Sequence, residues 1–302
     1  MIVKPFLKWA GGKSQLLEQM EGFFPPELKT GLIQRYIEPF VGGGAMFFHL
    51  ATAYSIDEFF IADINPELLC AYLTIQQNVT ALISILQKIE SHYLSLDEAG
   101  RKEYYYEMRS KFNEQRAKFL MLKYQPEWIN RTAQLIFLNR TCFNGLFRVN
   151  SKGDFNVPMG RYKNPTICHP ENLKAVAQIL QKTHIHCGDF TDCRQWVNEQ
   201  SFVYFDPPYR PISATANFNA YASPNFDDSE QLRLSQFYRE LDQKGAKLML
   251  SNSEPKNEDP AADFFEVAYA GYGIERLSAN RYINSKGSKR GKINELLIIN
   301  YA

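Results

Sequence analysis

Residues 35–69 read as strand, glycine turn, helix, strand, acidic residue and helix, and this rhythm constrains the fold more than any other feature. "RYIEPF" is a short apolar strand, "VGGGA" a tight turn and "AMFFHLATA" a helix. "EFFIADINPELL" repeats the step, with Pro66 in the first helical turn, where proline is tolerated. Such a βαβ unit belongs to doubly wound α/β sheets. From about residue 65 to 139 no strand reads, only long amphipathic helical stretches such as "EYYYEMRSKFNEQ". A polar, aromatic and basic loop follows, from 140 to about 165. Strands then resume in "THIHCGD", "FVYFD", "AKLMLSNS", "FEVAYA" and "NELLIINYA". The expectation is one parallel-sheet domain, residues 1–65 and 169–302, interrupted by a mostly helical insertion at 66–168.

The chain has 302 residues, 45% of them hydrophobic, which fills the core of a large domain with a sizeable insert. No run of about 18 apolar residues predicts a membrane span, and "MIVKPFLKWAGGK" lacks the signal-peptide pattern. Five cysteines (Cys70, Cys142, Cys168, Cys187, Cys193) without a C-x-x-C pair argue against a disulfide framework or a zinc site. The reading is a cytoplasmic protein that needs no metal. The net charge of +1 excludes a globally basic chain. Locally, Arg140, Arg148, Lys152, Arg161 and Lys163 face one acid, Asp154. Arg276, Arg281, Lys286, Lys289, Arg290 and Lys292 face none. These read as two loops that meet phosphate, or as two solvated loops.

The stretch "VYFDPPYRP" closes a strand on chemistry. Pro207 and Pro208 cannot continue a hydrogen-bond ladder, and they fix where their carbonyls point. The Asp206 carboxylate and the Pro207 carbonyl are two acceptors for the two N–H groups of one amine. Tyr209 adds a face on which a planar ring can stack. Such a constellation suits a conjugated amine whose nitrogen must lose planarity to become nucleophilic. The Asn- and Ala-rich segment 213–226 follows directly and reads as a lid or as a mobile loop.

Gly42, Gly43 and Gly44 allow close approach of a ligand to the backbone, and Asp63 stands where an acid accepts from ribose hydroxyls. A plain turn with an acidic helix cap would look the same. Phe47 occupies the place of the third glycine of G-x-G-x-x-G, which counts against a dinucleotide. "LKWAGGKSQLL" lacks the upstream glycine of a P-loop. Lys13 there suits a carboxylate, and Trp9 either lines a cofactor pocket or packs in the core.

In order, "FLKWAGGK", "EPFVGGG", "IADIN", "NGLFRVNSKGDFNVPMGRYKNP" and "FDPPYRPISATANFNAY" resemble the Dam-type adenine-specific DNA methyltransferases of the alpha group, over essentially the whole chain. The resemblance implies an α/β fold: a Rossmann-like S-adenosylmethionine-dependent methyltransferase sheet with an inserted target-recognition domain. It implies methylation of the exocyclic amine of adenine in double-stranded GATC, and a monomer with no obligate protein partner, associated with the nucleoid. Residue by residue, Trp9, Lys13, Asp63 and Asp206 match cofactor-binding positions. Glu38, Pro39 and Phe40, with Gly42 and Gly44, match the loop around the methionine part, and Asp189 and Phe190 match the position beside the cofactor's adenine. Asp206, Pro207, Pro208 and Tyr209 match the catalytic tetrapeptide.

A duplex-acting enzyme must flip its target base, which calls for a plug in the stack. Phe143 supplies a wedge, Asn144 a partner for the orphan base and Gly145 the turn. The resemblance places Lys8 on the first guanine, Arg148 and Pro158 on the second half of the site, and Leu146 and Tyr162 near the thymine. Phe143 stands where the family has tyrosine. Arg109, Arg140, Asn150, Asn156 and Arg161 read as further DNA contacts. Rival readings are an RNA or protein-glutamine methyltransferase, a catalytically silent DNA-binding protein and, more distantly, a nicotinamide oxidoreductase.

Overall fold

The computed structural model describes residues 3–13, 15–116, 124–210, 226–280 and 292–301. Its strands are β1 (Arg35–Glu38), β2 (Glu58–Asp63), β3 (Thr183–Cys187), β4 (Ser201–Phe205), β5 (Lys247–Ser253), β6 (Gly273–Asn280) and β7 (Lys292–Ile299). Its helices are α1 (Leu17–Met20), α2 (Pro26–Thr30), α3 (Ala45–Ala53), α4 (Pro66–Ser95), α5 (Glu98–Arg116), α6 (Trp128–Thr141), α7 (Pro170–Leu180), α8 (Asp228–Gln243) and α9 (Phe264–Ala268). Among the described residues the strands form one seven-stranded sheet, ordered β3-β2-β1-β4-β5-β7-β6. β1 pairs in parallel with β2 and β4, and β4 with β5. The order turns back between β1 and β4, and in open α/β sheets ligands bind beyond the carboxyl ends of strands at such a reversal. β1 ends on Glu38, and Asp206 follows β4 directly.

The sheet is mixed, not the parallel sheet expected. β7 runs antiparallel between β5 and β6. Fewer residues separate Asn280 from Lys292 than the dozen or so that a parallel crossover needs. The "FEVAYA" strand is also corrected, because that stretch holds α9. Strand alternation would bury Phe265, Val267 and Tyr269 together. Instead Phe265, Ala268 and Tyr269 are buried at helical spacing, and Val267 is 66% exposed. β6 was not foreseen because Glu275 and Arg276 interrupt its apolar pattern.

The chain divides into two compact units. The first comprises Met1–Gly12, Gly42–Ala53 and Ala62–Gly188. In it Asn65 caps α4, its Oδ1 accepting from the Glu67 and Leu68 N–H groups, and Pro66 sits at the first position. α4 kinks at Asn78, whose Nδ2 donates to the Tyr124 hydroxyl at 2.8 Å. By length and composition α4 is apolar enough to cross a bilayer, with half of its most apolar window buried. Buried Leu68, Ile75, Leu82 and Leu86 lie on it, and it packs on α6 and α7. The Arg131 guanidinium of α6 forks onto the buried Glu67 carboxylate and donates to the Phe112 carbonyl of α5 at 3.2 Å, tying three helices together. The second unit comprises Lys13–Val41, Tyr54–Ile61 and Asp189–Ala302. There the α8 residue Tyr238 donates to the Leu248 and Ile298 carbonyls of β5 and β7.

Candidate active site

In the second unit, every residue of β4 is buried, and Asp206 is the first side chain past its end. Lys13 Nζ lies 3.0 Å from Asp206 Oδ1, 3.8 Å from Glu295 Oε2 and 4.4 Å from the centre of the Tyr209 ring. The Tyr209 hydroxyl donates to Glu295 Oε2 at 2.7 Å. The Asp206 carboxyl is raised to about 6: burial is the main cause, Lys13 opposes it and Glu295 adds to it. The loop itself is pinned. Gln231 Nε2 donates to the Pro208 carbonyl at 3.0 Å, Asn252 Nδ2 donates to Gln231 Oε1, and the Arg210 N–H donates to Asn252 Oδ1. Among the described residues none donates to the carbonyl of Pro207. The Asp206 carboxylate and the Tyr209 ring therefore both meet Lys13, and the Pro208 carbonyl behind them is pinned by Gln231. Glu38, 2% exposed, accepts from the Tyr36 hydroxyl at 2.7 Å.

Also in this unit, Asp189 caps the short helical turn Phe190–Trp196. Its carboxylate accepts from the Thr191 N–H and hydroxyl and from both terminal nitrogens of Arg233. The Arg233 guanidinium holds the Asp189 carboxyl well below the usual carboxylate range. Three of those four bonds fall on Oδ1 and one on Oδ2, so Oδ2 keeps room for a further donor. Arg233 also lies 4.0 Å over the ring of Phe190, which meets Phe40 and Phe226 at ring-centre distances of 5.4 and 6.1 Å.

In the first unit, Gly42 and Gly44 adopt φ of 48° and 73°. A Cβ on Gly42 or Gly43 would press on Trp9, and one on Gly44 would overlap the Tyr72 hydroxyl. The turn is glycine because Trp9 and Tyr72 already fill the space. Trp9 stacks on Phe147 at 5.3 Å. Asp63 accepts from the Gly42 N–H at 3.0 Å and from the Asn65 N–H at 2.9 Å. Burial raises the Asp63 carboxyl, while the N–H groups of Asn65, Gly42 and Ile64 oppose the rise. Ile64, unnoticed in the sequence, is 74% exposed beside this carboxylate.

The same unit gathers much of the DNA set around α6. Asn139, 1% exposed, accepts from the Lys8 N–H at 2.8 Å through Oδ1. Its Nδ2 donates to the Lys8 carbonyl at 2.8 Å and to the Gly145 carbonyl at 2.9 Å. Gly145 has φ of 65°, and a Cβ there would overlap the Lys8 side chain. Lys8 Nζ reaches 4.6 Å over the ring of Tyr162. Phe143 is 52% exposed, with its N–H on the Pro158 carbonyl at 2.9 Å, and Asn144 beside it is left-handed at φ of 55°. The half-buried Leu146 accepts the Cys142 thiol at its carbonyl. Arg148 Nε donates to Asn156 Oδ1 at 2.7 Å, so Asn156 orients Arg148. Asn150 caps its own turn, accepting from the Lys152 and Asp154 N–H groups. Arg109 donates to the Val157 carbonyl, Arg140 donates to the Phe6 carbonyl, and Arg161 is exposed.

A family model described as D12 class N6 adenine-specific DNA methyltransferase matches residues 9–283. The chain belongs to this family. It is 50% identical over 302 residues to the Type II methyltransferase M.MjaIII of Methanocaldococcus jannaschii, covering the whole of both chains. It is 36% identical over 301 residues to the Type II methyltransferase M1.LlaDCHI of Lactococcus lactis subsp. cremoris, covering 99% of this chain and 96% of that protein. Against the DNA adenine methylase of Haemophilus influenzae it is 33% identical over 298 residues, covering 98% and 93%. An adenine-specific DNA methyltransferase acts on DNA, which sets aside the RNA, protein-glutamine, silent and oxidoreductase readings.

In this methyltransferase the second basic stretch is not the continuous loop expected. Arg276 lies on β6, and its guanidinium is bonded to the buried Glu254 and to Glu266. An arginine that neutralises a buried carboxylate is committed to the fold. Arg281, Lys286, Lys289 and Arg290, and segment 213–225 after the tetrapeptide, lie outside the described residues. Five residues missed in the methyltransferase's sequence are Glu295, Gln231, Asn252, Arg233 and Asn139. Glu295 carried one signal, a lone acid opening the apolar run "LLII".

Proposed function

We propose that this methyltransferase uses S-adenosylmethionine to methylate the exocyclic amine of adenine in double-stranded GATC, with the adenine flipped out of the duplex. The observation that carries the chemistry is Asp206 beside Lys13 and Tyr209 at the end of β4. The residues fit such a cofactor: a turn that only glycine can occupy, carboxylates, a buried ammonium and apolar faces. Trp9, Lys13, Glu38, Phe40, Gly42, Gly44, Asp63, Asp189, Phe190 and Asp206 are the residues assigned to hold it. Asp189, held by Arg233 and Thr191 mainly through Oδ1, sets Phe190 and its turn and keeps Oδ2 open to a donor. When bound, S-adenosylmethionine supplies an electrophilic methyl group on a sulfonium sulfur.

Asp206 accepts one N–H of the target amine and the Pro207 carbonyl accepts the other. Two acceptors draw the nitrogen lone pair out of conjugation with the ring, and Tyr209 stacks on the base. The proton leaves after attack, so no strong base is required beforehand. Residues 66–168 form the inserted recognition domain in this reading, and 1–65 with 169–302 the catalytic one. Phe143 is the wedge, Asn144 meets the orphan base, Lys8 reads the first guanine, and Arg148 forks onto guanine O6 and N7 in the second half. Arg109, Arg140, Asn150 and Asn156 support this face and Arg161 meets phosphate. The enzyme acts as a monomer in the cytoplasm, on the nucleoid.

Expression in a host lacking adenine methylation, followed by digestion with nucleases that do or do not cut methylated GATC, tests the reading. Resistance to the methylation-blocked nuclease is expected. N6-methyladenine at another sequence would overturn GATC and leave the enzyme class standing.

A further inference from the structure

Glu295 lies 86 positions beyond Tyr209 in the chain, on β7, opposite Ser253 of β5. Its Oε2 accepts the Tyr209 hydroxyl at 2.7 Å and stands 3.8 Å from Lys13 Nζ. Lys13 reaches Asp206 Oδ1 at 3.0 Å and lies 4.4 Å over the Tyr209 ring. Lys13, Glu295 and Tyr209 thus close a ring of contacts, and Asp206 joins it through Lys13, so that one ammonium serves two carboxylates. β7 does not need this link to stay in place. It pairs with β6 along its length and with β5 from Glu295 to Ile299, and Leu296, Leu297 and Ile298 are buried.

We propose that Glu295 is a positioning residue for methyl transfer: it holds the Tyr209 hydroxyl and shares Lys13 with Asp206, and so sets both the stacking ring and the acceptor carboxylate. The proposal rests on the assignment of Asp206 and Tyr209 to the target adenine. A ring held by stacking alone slides and tilts. A hydrogen bond to an ionised acceptor is about twice as strong as a neutral one and fixes its angle. The second effect is electrostatic. The charged groups facing Asp206 are Lys13 and Glu295, with the phenols of Tyr36, Tyr204 and Tyr209 around it and Glu38 bonded to Tyr36. Glu295 therefore raises the Asp206 carboxyl against the lowering by Lys13.

The test is single-turnover methylation by the full chain at saturating S-adenosylmethionine and GATC duplex, across pH 5 to 8. The variants are Glu295→Gln, Glu295→Ala, Tyr209→Phe, Asp206→Ala and Glu295→Ala combined with Tyr209→Phe. Glu295→Ala is expected to slow transfer about tenfold, the loss of one charged hydrogen bond, with KM for DNA and cofactor little changed. Glu295→Gln, nearly isosteric, keeps an acceptor and restores most of the rate. By removing a negative charge beside Asp206 it moves the acid limb of the profile to lower pH. In the Tyr209→Phe background, Glu295→Ala should cost little more. Wild-type transfer by Glu295→Ala, or full additivity of the two changes together with an unmoved acid limb in Glu295→Gln, overturns the proposal if Asp206→Ala is inactive. Activity retained in Asp206→Ala instead removes the catalytic assignment on which the proposal stands.

Discussion

In the proposed mechanism Asp206 acts as an anion, yet its burial works toward the neutral acid. Burial dominates and lifts the carboxyl from 3.8 to about 6 against the pull of Lys13. Transfer should therefore rise with pH through about 6 and level off above it, measured as single-turnover rate at saturating substrates. A flat profile from pH 5 to 8 would mean that Asp206 is not the titrating acceptor. Asp206→Ala should abolish transfer with the fold retained. The stability sign runs the other way. A carboxyl raised in the folded state contributes stability below its unfolded value, and that contribution is lost as pH rises through about 6. Asp189 is the opposite case: lowered by Arg233, its contribution is present above the ordinary carboxylate range and lost in acid.

Among the elements, α6 organises the first unit. It carries Arg131 on one side and Asn139 near its end, so one helix links the α4–α5 packing to the Lys8 segment and the Phe143–Gly145 turn. Arg131→Met would leave the Glu67 carboxylate buried without its guanidinium. Breaking a buried pair from one side costs about 3–5 kcal/mol. Urea denaturation should show that loss, and adding Glu67→Gln should recover part of it. An unchanged midpoint would mean that water replaces the guanidinium. The helices from Pro66 to Thr141 were legible because their apolar residues recur at helical spacing over many turns. α9 and β6 were not, because over five to eight residues packing outweighs local pattern.

For the whole molecule, a net charge of +1 leaves DNA attraction to a local surface. Arg276 is tied to Glu254 and Glu266, Arg233 to Asp189 and Glu230, and Arg194 to Glu240. Lys8, Arg148 and Arg161 lie in the first unit with the Phe143 turn. DNA affinity should fall with log salt by about 0.9 log units per phosphate contacted. Arg161→Ala should lower that slope by about one unit for every sequence, whereas Arg148→Ala should relax discrimination at one guanine by about 1–3 kcal/mol. Titrations at several salt concentrations on GATC and on its single-base variants read both. An unchanged slope in Arg161→Ala removes it from the backbone contacts.

The sequence by itself determined the strand–turn–helix start, the helical stretch after it and the family, because these rest on local periodicity and contiguous motifs. It also located Asp206, Tyr209 and the Gly42–Gly44 turn, since each lies in a short run whose chemistry reads without its neighbours. Only the tertiary structure brought Glu295 to Tyr209 across 86 positions and Lys13 to Asp206, turned β7 against its neighbours and committed Arg276 to the buried Glu254. Those outcomes depend on which strand lies beside which. A side chain's charge is visible in the sequence, but the partner that uses it is chosen by packing between segments far apart in the chain.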